Sequence, residues 1–169
     1  MLKGCLKTGL TGIRIEKGFS LVELLVVIAI SGTLVVIGVP SIISQMAHLR
    51  LTRSTREAST ELNAARLKAI AKNTKFKVAF TLYTGTTSDT YRLFTYETGS
   101  WQNDTSRTLR SVESGVNISS PSGDFEVEFY PNGTATATTI CIENTATTGD
   151  NMKITVQGTT GMTTITTGC

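Results

Sequence analysis

The chain has 169 residues, 40% hydrophobic and 17% charged, an ordinary composition for a folded protein with room for one domain and an appendage. The formal net charge of +3 lies entirely in residues 1–18, where Lys3, Lys7, Arg14 and Lys17 face a single acid, Glu16. The remaining 151 residues balance to zero, so the basic pI gives no support for a nucleic-acid partner once those 18 residues are set aside.

The first element follows this basic block at once. Residues 19–39 form an apolar run of 21 residues interrupted by one charge, Glu23. As a helix the run is about 32 Å long, enough to cross a bilayer with its backbone hydrogen bonds closed internally. The positive flank precedes it, which predicts an N-terminus in the cytoplasm and an outward-facing chain after Pro40. The run ends in Gly38-Val39-Pro40 with no small-residue cleavage pattern of the secretory type behind it. Glu23 is the anomaly. A carboxylate at membrane depth costs on the order of 3 kcal/mol and persists only with a partner or a function.

A second helical pattern occupies residues 41–73. Leu51, Thr55, Ala58, Leu62, Ala65 and Ala69 recur at alternating spacings of four and three, which places them on one face; Leu67 and Ile70 are expected to widen it. Arg53, Glu57 and Glu61 form an i,i+4 series on another side. Pro40 marks a kink or the membrane exit, and the helix is expected to stop near Asn73-Thr74.

From residue 74 the composition shifts to Thr, Ser and Gly with period-two alternation, which predicts an antiparallel β domain over 74–169. "KFKVAFTLY" puts Phe76, Val78, Phe80 and Leu82 on one face, and "YRLFTYE" reads as the returning strand. "DFEVEFY" alternates Phe125, Val127 and Phe129 inward. Asn132-Gly133 follows as a hairpin signal, with "TATATTICIE" as the expected partner strand. "MKITVQ" and "MTTITT" complete the set, while residues 97–123 are expected to hold loops and weak strands. The fold class is therefore α+β: a long N-terminal helix, half transmembrane and half amphipathic, packed on an antiparallel sheet. Charge is unevenly divided, +6 over residues 41–77 and −5 over 78–169. That contrast suggests that the stem of one subunit packs near the acidic strands of the next.

"GFSLVELLVVIAI", within a match over roughly residues 14–45, resembles the class III signal of type IV pilins and pseudopilins. The resemblance implies that residues 1–18 are a leader, cut by a prepilin peptidase after Gly18. The same enzyme would methylate the new terminal amine of Phe19, and residues 19–40 would serve first as an inner-membrane anchor and then as the core of a filament. Cleavage creates a cationic amine four residues before Glu23, so a neighbouring subunit's amine becomes the partner that carboxylate lacks, a buried charge-assisted pair that fixes register. The stretch "EVEFYPNGTATATTICIENTATTGDNMKITVQGTTGMTTI" is similar to the FimT and general-secretion-pathway H group of minor pilins and pseudopilins, with Phe129, Gly133 and Gly161 as matching landmarks. The arginine that usually follows the late glycine is replaced by Met162; a branch of the family binds DNA through arginines there.

Of three cysteines, Cys5 falls in the leader, and Cys141 and Cys169 face an oxidising compartment on this topology. A Cys141–Cys169 disulfide is the expected arrangement, two free thiols the alternative. His48 is the only histidine, with no metal-ligating or catalytic pattern around it, so neither an enzyme nor a metal or other cofactor is expected. The reading is a minor pilin or type II secretion pseudopilin with other pilins or pseudopilins as partners. The alternatives are a DNA-binding pilus subunit for DNA uptake, which is not favoured, and an uncleaved membrane-anchored surface domain.

Overall fold

The computed structural model describes residues 19–85 and 87–169, with the side chains of residues 36–44 left out of the description. The leader, Gly18 and Cys5 therefore lie outside the described residues. The chain divides into two compact units, Met1–Pro40 and Ser41–Cys169. One helix, α1 (Leu21–Lys72), is assigned across Pro40, and nine strands follow it.

In the second unit the predicted stripe is the buried one: Leu51, Thr55, Ala58, Leu62, Ala65 and Ala69 are each fully inaccessible. Three of these six are alanines, whose small side chains let strands approach the helix closely. The helix stops for a local reason. Asn73 adopts a left-handed conformation (φ 50°), the Thr74 amide donates back to Ala69 O, and the Asn73 amide to Ile70 O. This closure satisfies the last orphan carbonyls, and asparagine is one of the few residues that tolerate it.

Two antiparallel sheets follow. The first has the order β3-β2-β1-β6, built from β1 (Phe76–Thr81), β2 (Thr90–Glu97), β3 (Ser100–Asn103) and β6 (Phe125–Phe129), with the two-residue β4 (Arg110–Ser111) also on β2. Its inner face is set by register. Phe76, Val78 and Phe80 stand opposite Phe129, Val127 and Phe125 on one side and Thr95, Leu93 and Tyr91 on the other. The Phe80 ring stacks on Phe125 at 4.6 Å between centroids and lies 5.5 Å from Tyr91, a cross-strand aromatic row of the kind that stabilises sheets.

The second sheet has the order β5-β7-β8-β9, built from β5 (Val116–Ser120), β7 (Thr138–Asn144), β8 (Asn151–Val156) and β9 (Thr163–Thr167). Ile118, Ile142 and Met152 align across it, as do Ile140, Ile154 and Ile165. Residues of the helix stem and of both sheets join in one hydrophobic core. Truncating a residue such as Leu62, fully buried there, is worth about 2–5 kcal/mol.

Three expectations need correction. Leu67 and Ile70 do not widen the buried face; they are 62% and 44% exposed, because the alanine side of the helix already meets the sheets. Glu61 is not on a solvated face but buried, paired through Oε2 with Arg107 Nη1 at 3.0 Å. The hairpin at Asn132-Gly133 does not join β6 to β7. It runs only from Tyr130 and Thr134 back to Glu128 and Thr136; β6 is held by β1, and the chain then leaves for the second sheet.

Candidate assembly site

The arm begins with Phe19, 83% exposed, and every described side chain from 19 to 35 is exposed, including Leu21, Leu25, Ile28 and Leu34 at 58% or more of their surface. An apolar surface all round a helix has no stable home in water: each such side chain gains roughly 1.5–3 kcal/mol on being covered. What such an arm can do is enter lipid or pack among other apolar helices. Among the described residues no helix is long and apolar enough to cross a membrane. The sequence run that predicts a span extends to Val39, beyond the described side chains.

Glu23 lies in the first turn of α1, where the free amide groups of a helix start favour a carboxylate. It is exposed, four residues after Phe19, and has no ion-pair partner among the described residues. The two residues that the sequence singled out for assembly lie at one end of an exposed apolar helix, Phe19 just before it and Glu23 in its first turn.

The stem in the second unit and the start of β1 carry the basic residues, and part of that charge is engaged within the chain itself. Lys68 Nζ lies 2.6 Å from Asp104 Oδ2, Lys77 Nζ 2.7 Å from Glu126 Oε1, and Arg53 Nη1 3.4 Å from Glu113 Oε1. Arg66 donates through Nε to Thr160 O at 2.8 Å, and His48 Nδ1 is 2.9 Å from Asp150 Oδ1. Burial pushes the Asp150 carboxyl up, but the Asn144 amide and His48 outweigh it and leave it below its ordinary value. The segment 104–114 runs antiparallel along the stem, fastened by Asp104 to Lys68, Arg107 to Glu61 and the Glu113 amide to Ser54 Oγ. The charge contrast between stem and β domain is thus met in part inside one chain.

Cys141 in β7 and Cys169 at the chain end have Cα atoms 6.0 Å apart with their sulfurs in contact, a separation within the disulfide range. The Cys169 amide also donates to Asn151 Oδ1, and Gly168 to Asn151 O, so hydrogen bonds hold the last residues against β8 independently of the sulfurs. Among the described residues no three histidine, cysteine or acidic side chains gather as a metal site would.

Residues 13–39 match the family model described as the prokaryotic N-terminal methylation motif. The fold is similar to that of the minor pseudopilin EpsH from the type 2 secretion system of Vibrio cholerae, with a TM-score of 0.54 at 14% identity over 70% of this chain and 97% of that one. It is equally similar to the type IV minor pilin FimU of Pseudomonas aeruginosa, with a TM-score of 0.54 at 16% identity over 69% and 87%. The chain thus carries a prokaryotic N-terminal methylation motif ahead of a domain with the fold of these minor pilins and pseudopilins. No curated protein sequence matches it.

The landmarks of the C-terminal half converge on one point. A Cβ added at Gly161, which has φ +62°, would stand 2.6 Å from the carbonyl oxygen of Gly133 and 3.1 Å from Arg66 Cδ. The late glycine is needed because the 157–162 turn presses onto the 130–134 turn and the stem. Met162, which follows that glycine, is half exposed.

Sequence reasoning missed Asp89. It is buried and accepts the amides of Tyr83 and Ile118, each at 2.8 Å. Its only sequence signal was its place next to a strand start in "TSDTYRLF", which reads as an ordinary turn residue.

Proposed function

We propose that the protein is a minor pilin or type II secretion pseudopilin, of the FimT and general-secretion-pathway H group. It inserts with its N-terminus inside, is cut between Gly18 and Phe19, is methylated on Phe19, and is then drawn from the inner membrane into a filament or its tip complex. The leader is residues 1–18, the anchor and filament core 19–40, the amphipathic stem 41–73 and the exported β domain 74–169. The observation that carries this reading is the prepilin motif at residues 13–39 standing directly before a domain of minor-pilin fold.

Glu23 has its role on this reading. It costs energy in lipid and gains a partner only when a neighbour's terminal amine arrives. Glu23→Ala should therefore leave membrane insertion intact and reduce incorporation. Fractionation reads the first, and co-purification with the other pilins of the same system the second. Normal co-purification of the Ala variant would remove the role given to Glu23.

DNA binding receives little support. Arg53, Lys68 and Lys77 are paired with carboxylates of the same chain, which leaves a scattered set of cations rather than one basic face.

A further inference from the structure

The stem begins with an amphipathic patch that its own domain leaves uncovered. Met46, Leu49, Arg50 and Arg53 stand at positions i, i+3, i+4 and i+7, one face of a helix. All four are exposed, Met46 by 52% and Leu49 by 63%, and with Glu113 they line a shallow hollow of about 240 Å³. The two cations are not equivalent. Arg53 is held by Glu57 at 3.2 Å and by Glu113 at 3.4 Å. Arg50 reaches only a backbone carbonyl, Ser114 O, at 3.5 Å, and has no carboxylate partner among the described residues. Two acids that face this part of the stem are already engaged, Glu113 by Arg53 and Asp150 by His48. The adjoining segments 114–119 and 144–149 carry no charge. The patch thus offers an anion one free guanidinium with apolar side chains beside it.

The place of the patch in the sequence narrows the choice of anion. No charged side chain occurs between Glu23 and His48, so the apolar anchor passes into the stem through Ile42, Ile43 and Met46 without a charged border. On the anchor reading proposed above, the membrane helix starts at Phe19. From Phe19 to Arg50 a helix rises about 46 Å. A bilayer with its headgroups is about 40–45 Å thick, membrane helices tilt by about 20°, and a helical side chain points back towards the N-terminus. Together these bring the Arg50 guanidinium to the outer headgroups. An acidic strand of another subunit could match the charge but gives Met46 and Leu49 no apolar cover. A phospholipid supplies both, a phosphate for the guanidinium and glycerol and acyl carbons for the apolar pair.

We propose that Met46, Leu49 and Arg50 form a docking patch for an anionic phospholipid headgroup of the outer leaflet, which holds the first turns of the stem on the membrane surface until the subunit is drawn out. The inference rests on the anchor reading and goes beyond it, since it assigns a lipid contact to the exported part of the chain.

The test uses the full chain reconstituted in vesicles and recovered by flotation. A fluorophore is attached at Leu49→Cys or, on the same side of the stem about three turns further out, at Thr60→Cys, where the native residue is exposed. The wild-type chain, treated alike, gives the background of the native cysteines. Acrylamide, a neutral aqueous quencher, should reach the label at 49 less than the label at 60 in vesicles containing phosphatidylglycerol. That protection should shrink in pure phosphatidylcholine, disappear with Arg50→Glu and persist with Arg50→Lys. Equal quenching at the two positions in a chain that floats, or protection indifferent to Arg50→Glu, would overturn the patch and leave the anchor standing. A chain that does not float with the vesicles would overturn the anchor, and the patch with it.

Discussion

The carboxylate of Asp89 joins the two sheets. Its Oδ2 accepts the Ile118 amide of β5 at 2.8 Å, and its Oδ1 the Tyr83 amide at 2.8 Å, while its own carbonyl accepts from the Val112 amide at 2.9 Å. All of this happens at a side chain that is 1% exposed. Loss of the carboxylate strands two backbone amides with no water to replace it. Asp89→Ala should lower stability by about 2–4 kcal/mol, and Asp89→Asn by less, since an amide oxygen can still serve one of the two donors. Urea unfolding of the purified protein reads both. An Ala variant within about 0.5 kcal/mol of wild type, the scatter of ordinary surface changes, would contradict the linking role.

Asp89 also shows where the sequence was legible and where it was not. Regular elements declare themselves through periodicity, so the buried stem face and the inner residues Phe76, Val78 and Phe80 of β1 could be read directly, and Asn73-Thr74 marked the helix end. Long-range choices do not leave a periodic trace. Nothing in "DFEVEFYPNG" says that β1 will claim β6 while the chain beyond it joins another sheet. Likewise Glu61 looks like part of a solvated i,i+4 series until Arg107, 46 residues away, reaches it. The candidate site divides in the same way. Glu23 was conspicuous because it breaks an apolar run, whereas Asp89 and Gly161 matter through contacts with distant segments.

The Lys68–Asp104 pair predicts a specific acid response. Burial pushes the Asp104 carboxyl up, but the Lys68 ammonium together with the Ser106 hydroxyl and amide outweighs it and holds the group at about 2, against an ordinary 3.8. A carboxyl depressed in the folded state contributes stability that is complete above its unfolded value and is lost as pH falls through the folded one. The contribution of this pair is therefore whole above about pH 4 and fades towards about pH 2. Lys68→Met should destabilise the protein at neutral pH and by less at about pH 2. The urea midpoints of the two proteins should converge as the pH is lowered; a difference that stays constant would contradict the assignment.

A Cys141–Cys169 disulfide is predicted in the exported domain. The two residues are 28 apart in sequence, and closing a loop of that size is worth about 3 kcal/mol. Native protein from the oxidising compartment should show neither thiol reacting with a maleimide, and Cys169→Ser should lower the unfolding free energy by roughly that amount. The hydrogen bonds of Gly168 and Cys169 to Asn151 remain in the variant, so the chain end should stay on β8. Two reactive thiols in the native protein would show that the bridge does not form.

The central claim is that residues 1–18 are a leader and that Phe19 becomes a methylated terminus. The most direct measurement is the intact mass of the protein extracted from membranes of cells with an active prepilin peptidase. The account predicts a single species that has lost residues 1–18 and gained one methyl group, with the modification mapped to Phe19 by fragmentation. A full-length chain in those membranes, or a terminus at another residue, would contradict it.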